Sequence, residues 1–262
     1  MSIHQPTWVD KSPRVVIVGG LDPGTGAGVA RDLLTAAALS SHSVVVGTAW
    51  TEQGASTARA IEPRAPERVG LALAVALEKV AAAGGCVKIG MVATAPIAQA
   101  ILMALQSYPG PIVYDPVLCA SSGDPLYDGD RETILALARK VTLLTPNLSE
   151  AAWLLDRPVH SESDARESAR ALQAKGVAAV LVKGGHLEGD ATDVLLSPSG
   201  ETLFSSPRIA GPSPRGTGCA LATAIAVELA RGEPLEHAVA AAKTWLTGRI
   251  ANAHPVGDER HL

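Results

Sequence analysis

Six short runs rich in valine, isoleucine and leucine recur along the chain, at residues 15–18, 44–48, 86–89, 112–114, 141–144 and 179–182. Longer stretches in which alanine and leucine return at helical spacing separate them. Each run is short and apolar on both faces, as a strand must be when helices cover both faces of a parallel sheet. The alternation predicts a doubly wound, three-layer α/β/α fold with a mostly parallel central sheet. Local punctuation agrees. Pro66 and Glu67 suit the first turn of a helix that runs to Ala83, with Gly84 as its left-handed stop. Ser163 opens a second helix as its cap, and Gly176 follows Lys175 at its end. Residues 192–204, broken by Ser197, Pro198, Ser199 and Gly200, predict a β-hairpin at one end of the sheet. Two long helices fill 216–252, parted at Gly232, Glu233 and Pro234. The polar residues 1–13 read as a mobile arm, 14–262 as one domain, and 252–262 as an irregular tail.

Composition removes several classes of function. With 47% apolar and 18% charged residues among 262, the chain can bury a core and does not match a disordered segment. A net charge of −4 lacks the basic footprint of a nucleic-acid binder, and one Phe, three Tyr and four Trp leave little to stack bases on. No apolar stretch approaches the roughly 20 residues of a membrane span. The opening MSIHQPTWVDKSPR has no apolar core before a cleavage site, so no secretory signal is expected. Cys86, Cys119 and Cys219 are widely spaced and form no CxxC pair, which speaks against disulfides or a zinc cluster and for a reducing cytoplasm.

Two glycine-rich segments carry chemistry. GGLDPGTGAG, residues 19–28, follows the first strand and opens a helix, but Val29 stands where a dinucleotide fingerprint needs its third glycine. Asp22 in this loop and Asp32 one turn into the helix place carboxylates at the carboxyl end of the sheet, where ligands bind in such folds. The second segment is SPRGTGCALATAIAVELA, residues 213–230. A Gly-Thr-Gly loop running into a helix aims several backbone N–H groups at one spot, with the positive end of the helix dipole behind them, and so forms an anion hole. Cys219 sits in the first turn, where that field is expected to lower its thiol pKa.

GLDPGTGAGVARDLLT, TAWTEQGAS, VKIGM, YDPVLCASSGDPL, LLTPNLSEAAWLL, VLVKGGH and RGTGCALATAIA occur in this order. In this register the chain resembles the ribokinase superfamily, and within it the hydroxymethylpyrimidine and phosphomethylpyrimidine kinases of thiamine biosynthesis. The resemblance implies transfer of the ATP γ-phosphoryl group to the hydroxymethyl group of 4-amino-5-hydroxymethyl-2-methylpyrimidine, and in bifunctional members onto the monophosphate. It implies that Gly216, Thr217, Gly218 and the Cys219 amide form the anion hole and that Cys219 is the base. Most ribokinase-like enzymes carry Asp at that place. By the same resemblance Gln53 reads the pyrimidine, while Asp32 and the loop around Ala27 finish the pocket with Met91 as an apolar wall. Asn147, Glu150, Lys183 and Asp115 serve ATP and Mg²⁺, with Asp115 and Glu150 as metal ligands partly through water. Asn147 and Glu150 also read as an ordinary capping pair. His186 has no required role. A homodimer is the family expectation.

Three positions depart from the family's pattern: Arg215 where His is usual, Gly54 where Asn is common, and Trp50 in place of a smaller aliphatic residue. A guanidinium beside the anion hole forks readily onto phosphate oxygens, which assigns Arg215 to a phosphate already on the substrate. Two other readings stand beside the pyrimidine kinase. A pyridoxal kinase would phosphorylate a hydroxymethyl group on a different heteroaromatic ring, and a noncatalytic thiamine-precursor-binding regulator would bind pyrimidine without turning over ATP.

Overall fold

The computed structural model describes residues 12–53, 58–81, 84–120, 123–185, 189–256 and 259–262. The chain begins with β1 (Arg14–Leu21), α1 (Gly28–Ala38), β2 (His42–Gln53) and β3 (Ala58–Pro63), followed by α2 (Pro66–Ala81) and β4 (Cys86–Ile89). Next come α3 (Ala95–Ala104), β5 (Ile112–Tyr114), α4 (Arg131–Ala138), β6 (Leu143–Leu144), α5 (Leu148–Leu155), α6 (Glu162–Ala174) and β7 (Val180–Val182). The hairpin β8 (Ala191–Ser197) and β9 (Gly200–Ser206), the helices α7 (Thr217–Ala230) and α8 (Leu235–Ala251), and the short strands β10 (His254–Val256) and β11 (Glu259–His261) complete it.

Nine strands form one sheet in the order β3-β2-β1-β4-β5-β6-β7-β8-β9. The six from β2 to β7 are parallel, and β3, β8 and β9 add antiparallel edges. Strand order reverses at β1. The crossover through α1 runs one way and every later one runs the other, and because crossovers are right-handed the helices fall on opposite faces. Side-chain alternation records this. Val16, Val18, Val87, Ile89, Ile112 and Tyr114 join the core under α2 to α6, whereas Val15, Ile17, Cys86, Val113 and Leu143 join the core under α1, α7 and α8. The reversal opens a crevice at the carboxyl ends of β1 and β4, the place where open α/β sheets bind ligands.

Several expectations need correction. The helix expected to be capped by Ser163 is α6, and its cap is Ser161, whose hydroxyl accepts from the Asp164 amide while Asp164 accepts from the Ser161 amide. Ser163 lies inside the helix: in the run Ser-Glu-Ser-Asp, only the first serine has an acid three residues on to complete the box. The tail is not wholly irregular, because β10 and β11 pair and Arg260 donates to the carbonyls of Pro212, Ile250 and Ala253. The edge strand β3 was not foreseen. In the N-terminal arm, residues 1–11 lie outside the described residues, and the Pro13 carbonyl accepts from the His42 amide and the Ser41 hydroxyl. Among the described residues no helix is long and apolar enough to cross a membrane.

Candidate active site

A cleft of about 910 Å³ runs along the carboxyl ends of β1, β4, β5, β6 and β7 and over the start of α7. Two loops from distant parts of the chain close one side. Gly216 has φ +74, and a Cβ there would strike the Gly26 carbonyl oxygen; Gly28 has φ +60 and packs as closely on the Gly20 carbonyl. Both positions require glycine, since the left-handed region and the backbone contact each exclude a side chain. Thr25, at φ 58, is a strained non-glycine residue in the first loop. The loops are tied by an ion pair in which Arg215 Nη2 lies 3.3 Å from Asp22 Oδ2, while Asp22 Oδ1 accepts from the Gly24 amide at 2.9 Å.

Gly216 is the N-cap of α7 with no side-chain cap, so the first amides of the helix face the cleft. Cys219 lines the cleft there and is largely buried. Its thiol contradicts the expectation from the helix terminus: burial pushes it up to about 11, with Asp32 and Asp115 adding to the rise, and Lys88 and the Gly28 amide opposing it. Desolvation of the thiolate outweighs the favourable field.

Across the cleft the ends of β5, β6 and β7 bring together Asp115, Asn147, Glu150 and Lys183. Lys183 Nζ is 2.5 Å from Asp115 Oδ1 and 3.9 Å from Glu150 Oε2. Asn147 and Glu150 do form the capping box of α5, and each accepts the other's backbone N–H. The box leaves Glu150 Oε1 without a hydrogen bond among the described residues. Burial, and then Asp115, raise the Glu150 carboxyl to about 7, against the pull of Lys183. The start of α7 adjoins this group: a Cβ at Gly218 would lie 3.1 Å from Lys183 Nζ and 3.8 Å from Asp115 Oδ2. Asp115 and Glu150 are the hard oxygen donors a magnesium ion takes in ones and twos, with phosphate oxygens and water completing its shell. An ammonium already sits between them, so the space suits a cation. Among the described residues no cluster of three His, Cys, Asp or Glu side chains could hold a metal unaided.

Ala27, Asp32 and Met91 also line the cleft. Asp32 is fully buried with both oxygens engaged: Oδ2 lies 2.6 Å from Lys88 Nζ, and Oδ1 accepts from the Thr223 hydroxyl at 2.8 Å. Gln53 ends β2 opposite Ala58, but its side chain, Gly54 and His186 lie outside the described residues. Trp50 is 56% exposed on β2. Sequence reading missed Lys88, whose signal is a lysine in an otherwise apolar strand, and the buried pair of Lys243 with Asp193 at 2.7 Å. It also missed Trp153, which packs edge-on to Tyr127 on the cleft wall under the Arg131 guanidinium.

The family model described as phosphomethylpyrimidine kinase matches residues 22–262. The chain belongs to the phosphomethylpyrimidine kinase family. It is a phosphotransferase of ribokinase-like fold. This kinase is 36% identical to a hydroxymethylpyrimidine/phosphomethylpyrimidine kinase of Streptomyces coelicolor, over 96% of this chain and 94% of that one. It is also 36% identical to the protein of that name in Escherichia coli, over 96% and 98% of the two chains. Among solved structures, a Clostridium difficile phosphomethylpyrimidine kinase superposes with a TM-score of 0.78 at 29% identity, covering 91% of this chain and 99% of that one. The ADP complex of Bacillus subtilis pyridoxal kinase gives 0.83 at 26% identity, covering 94% of each chain.

Proposed function

We propose that the enzyme transfers the γ-phosphoryl group of ATP to 4-amino-5-hydroxymethyl-2-methylpyrimidine, and then phosphorylates the monophosphate to the diphosphate. The observation that carries this reading is the meeting of the Gly216–Cys219 turn with Asp115, Glu150 and Lys183 across one cleft. A base and an anion hole on one wall, with a cation and two carboxylates on the other, are the parts phosphoryl transfer needs. In the first step the bond between the γ-phosphorus and ADP breaks and one to the hydroxymethyl oxygen forms, as the hydroxyl proton passes to the Cys219 thiolate. The amides at the start of α7 receive the oxygens of the transferred group, and Lys183 turns from Asp115 towards the triphosphate. Asp115 and Glu150 hold Mg²⁺, which when bound neutralises phosphate charge. Gln53, Met91, Asp32 and the turn at Ala27 shape the pyrimidine pocket, with Asp32 acting through Lys88 and Thr223. Arg215 leaves Asp22 for the phosphate of the monophosphate, since a guanidinium binds phosphate as well as carboxylate. Residues 14–262 act as one kinase domain, in the cytoplasm and as a homodimer.

The two steps differ in their need for a base. An alcohol must lose its proton, whereas a phosphate monoester is already ionised at pH 8 because its second pKa is about 6. Phosphorus NMR of the protein with Mg-ATP and either acceptor tests the reading, with Cys219→Ala as the comparison. The variant should lose the first step by at least a hundredfold and keep most of the second. Equal loss of both would remove Cys219 from the role of base, and no turnover by the parent protein on either acceptor would remove the kinase reading. A parallel sample with pyridoxal tests the second reading, which the likeness to pyridoxal kinase structures favours.

A further inference from the structure

Lys88 is out of place in its strand. Along β4, Val87 and Ile89 face the α2 to α6 side, and Cys86 joins the core under α1, α7 and α8. By alternation Lys88 shares the face of Cys86, at a level where the neighbouring strands present Ile17 and Val113. Its ammonium is fully buried. Asp32 is its one hydrogen-bond partner among the described residues, although an ammonium has three donors. Burial is the largest influence and works against the charge, but Asp32, Cys219 and Asp115 together outweigh it, so the ammonium is kept. The group also reaches the cleft floor: it lines the cleft, and a Cβ at Gly90 would lie 3.0 Å from Nζ. A buried pair of this kind is commonly no better for folding than apolar residues of equal volume. Stability alone therefore gives little reason for a lysine here.

Asp32 connects this lysine to the reacting end of α7. Its second oxygen accepts from Thr223, four residues after Cys219 and so one turn along the same helix face. The charged groups that face Cys219 are Lys88 on β4, Asp32 and Arg31 on α1, Asp115 after β5 and Lys183 after β7, and the Gly28 amide donates to its sulfur. We propose that Lys88, fixed by Asp32 and Thr223, is a positioning residue whose ammonium is the standing positive charge against which the Cys219 thiolate forms. The inference rests on the reading of Cys219 as the base. The ammonium end of the pair dominates at the sulfur, because Lys88 is the largest influence opposing burial there.

The two partners must then act on the thiol in opposite directions, which a structural role for the pair would not do. The test is alkylation of Cys219 by iodoacetamide in the intact protein between pH 6.5 and 10, followed at the Cys219 peptide by mass spectrometry. At pH 8 Lys88→Met should slow alkylation about tenfold or more, and Lys88→Arg should restore much of the rate. Asp32→Asn should speed it several-fold, because the thiolate replaces the carboxylate as counter-ion of the ammonium. Movement of both single variants in the same direction, or an unchanged rate in folded Lys88→Met, overturns the proposal. If Lys88→Met does not fold, Asp32→Asn alone decides: faster alkylation supports the proposal and an equal or slower rate refutes it. Alkylation is read without turnover. Full hydroxymethylpyrimidine kinase activity in Cys219→Ala would therefore sink the base reading, while opposite shifts in alkylation would still establish the electrostatic role of Lys88.

Discussion

Replacing Gly216 by alanine measures how closely the two cleft loops are locked. Its φ of +74 is left-handed, which costs an L-residue about 1–2 kcal/mol. The added methyl group would also strike the Gly26 carbonyl oxygen and lie 3.0 Å from Arg31 Cγ, atoms held in place by a second loop and by a helix. Overpacking of this kind costs about 1–3 kcal/mol more. Gly232 supplies the control, since its φ is +89 and a Cβ there would meet nothing within 4 Å. At about 2–4 °C per kcal/mol for a chain of this size, Gly232→Ala should lower Tm by roughly 2–8 °C and Gly216→Ala by roughly 4–20 °C. Scanning fluorimetry of both variants reads the difference, and a phosphorylation assay should show at least a tenfold loss for Gly216→Ala alone. Equal Tm losses in the two variants would refute the backbone contact between the loops, because strain alone would then account for both.

Glu150→Gln keeps a capping-box residue and removes the buried charge. With the carboxyl raised to about 7 from an ordinary 4.5, the folded protein holds a proton that the unfolded chain releases, so stability falls as pH rises through that window. The variant should gain roughly 3 kcal/mol on its parent between pH 4.5 and 8 in urea titrations, and a gap independent of pH would refute the assignment. Lys243→Met leaves Asp193 buried without its cation and should destabilise by about 3–5 kcal/mol, whereas the double variant with Asp193→Asn should recover most of that. Arg215→Ala should raise KM for the monophosphate much more than for the alcohol, and equal effects on both would remove Arg215 from phosphate recognition.

The legible parts of the fold are those set by local pattern. Residues 86–89 and 112–114 are strands to the residue, because turn-forming residues bound each run, Gly85 and Gly90 for the first and Pro111 and Asp115 for the second. The run at 141–144 shortens to Leu143–Leu144, and β3, with the sequence ARAIEP, is polar as an edge strand can be, so neither boundary could be read from hydrophobicity. The β10–β11 pair depends on Arg260 reaching carbonyls in the 212 loop and at the end of α8, which is tertiary information. The glycine-rich turn into α7 was legible because glycines and a helix start are local. The state of Cys219 was not, because its surroundings come from four other segments of the chain. Arg215 and Asp22 meet across a separation of 193 residues, and Lys88 and Asp32 across 56.

Most cations of the cleft follow one rule. Four of the six Lys and Arg side chains that line it are joined to a buried aspartate, Arg215 to Asp22, Lys88 to Asp32, Lys183 to Asp115 and Lys243 to Asp193, while Arg208 and Arg260 donate to backbone carbonyls. Each aspartate is also anchored by a neutral donor, namely the Gly24 amide, the Thr223 hydroxyl, the Thr145 hydroxyl and the Gly184 amide in the same order. A cleft that accepts polyphosphate needs cations, yet an unpaired ammonium in a dry site would lose its proton or destabilise the fold. The aspartates solve this in the free enzyme by keeping the cations charged. Their anchors let a lysine or arginine swing to phosphate while the carboxylate left behind is still hydrogen-bonded. In the proposed mechanism the partly exposed cations, Arg215 and Lys183, exchange their aspartates for phosphate. Lys88, fully buried and held between β4, α1 and α7, is built to stay.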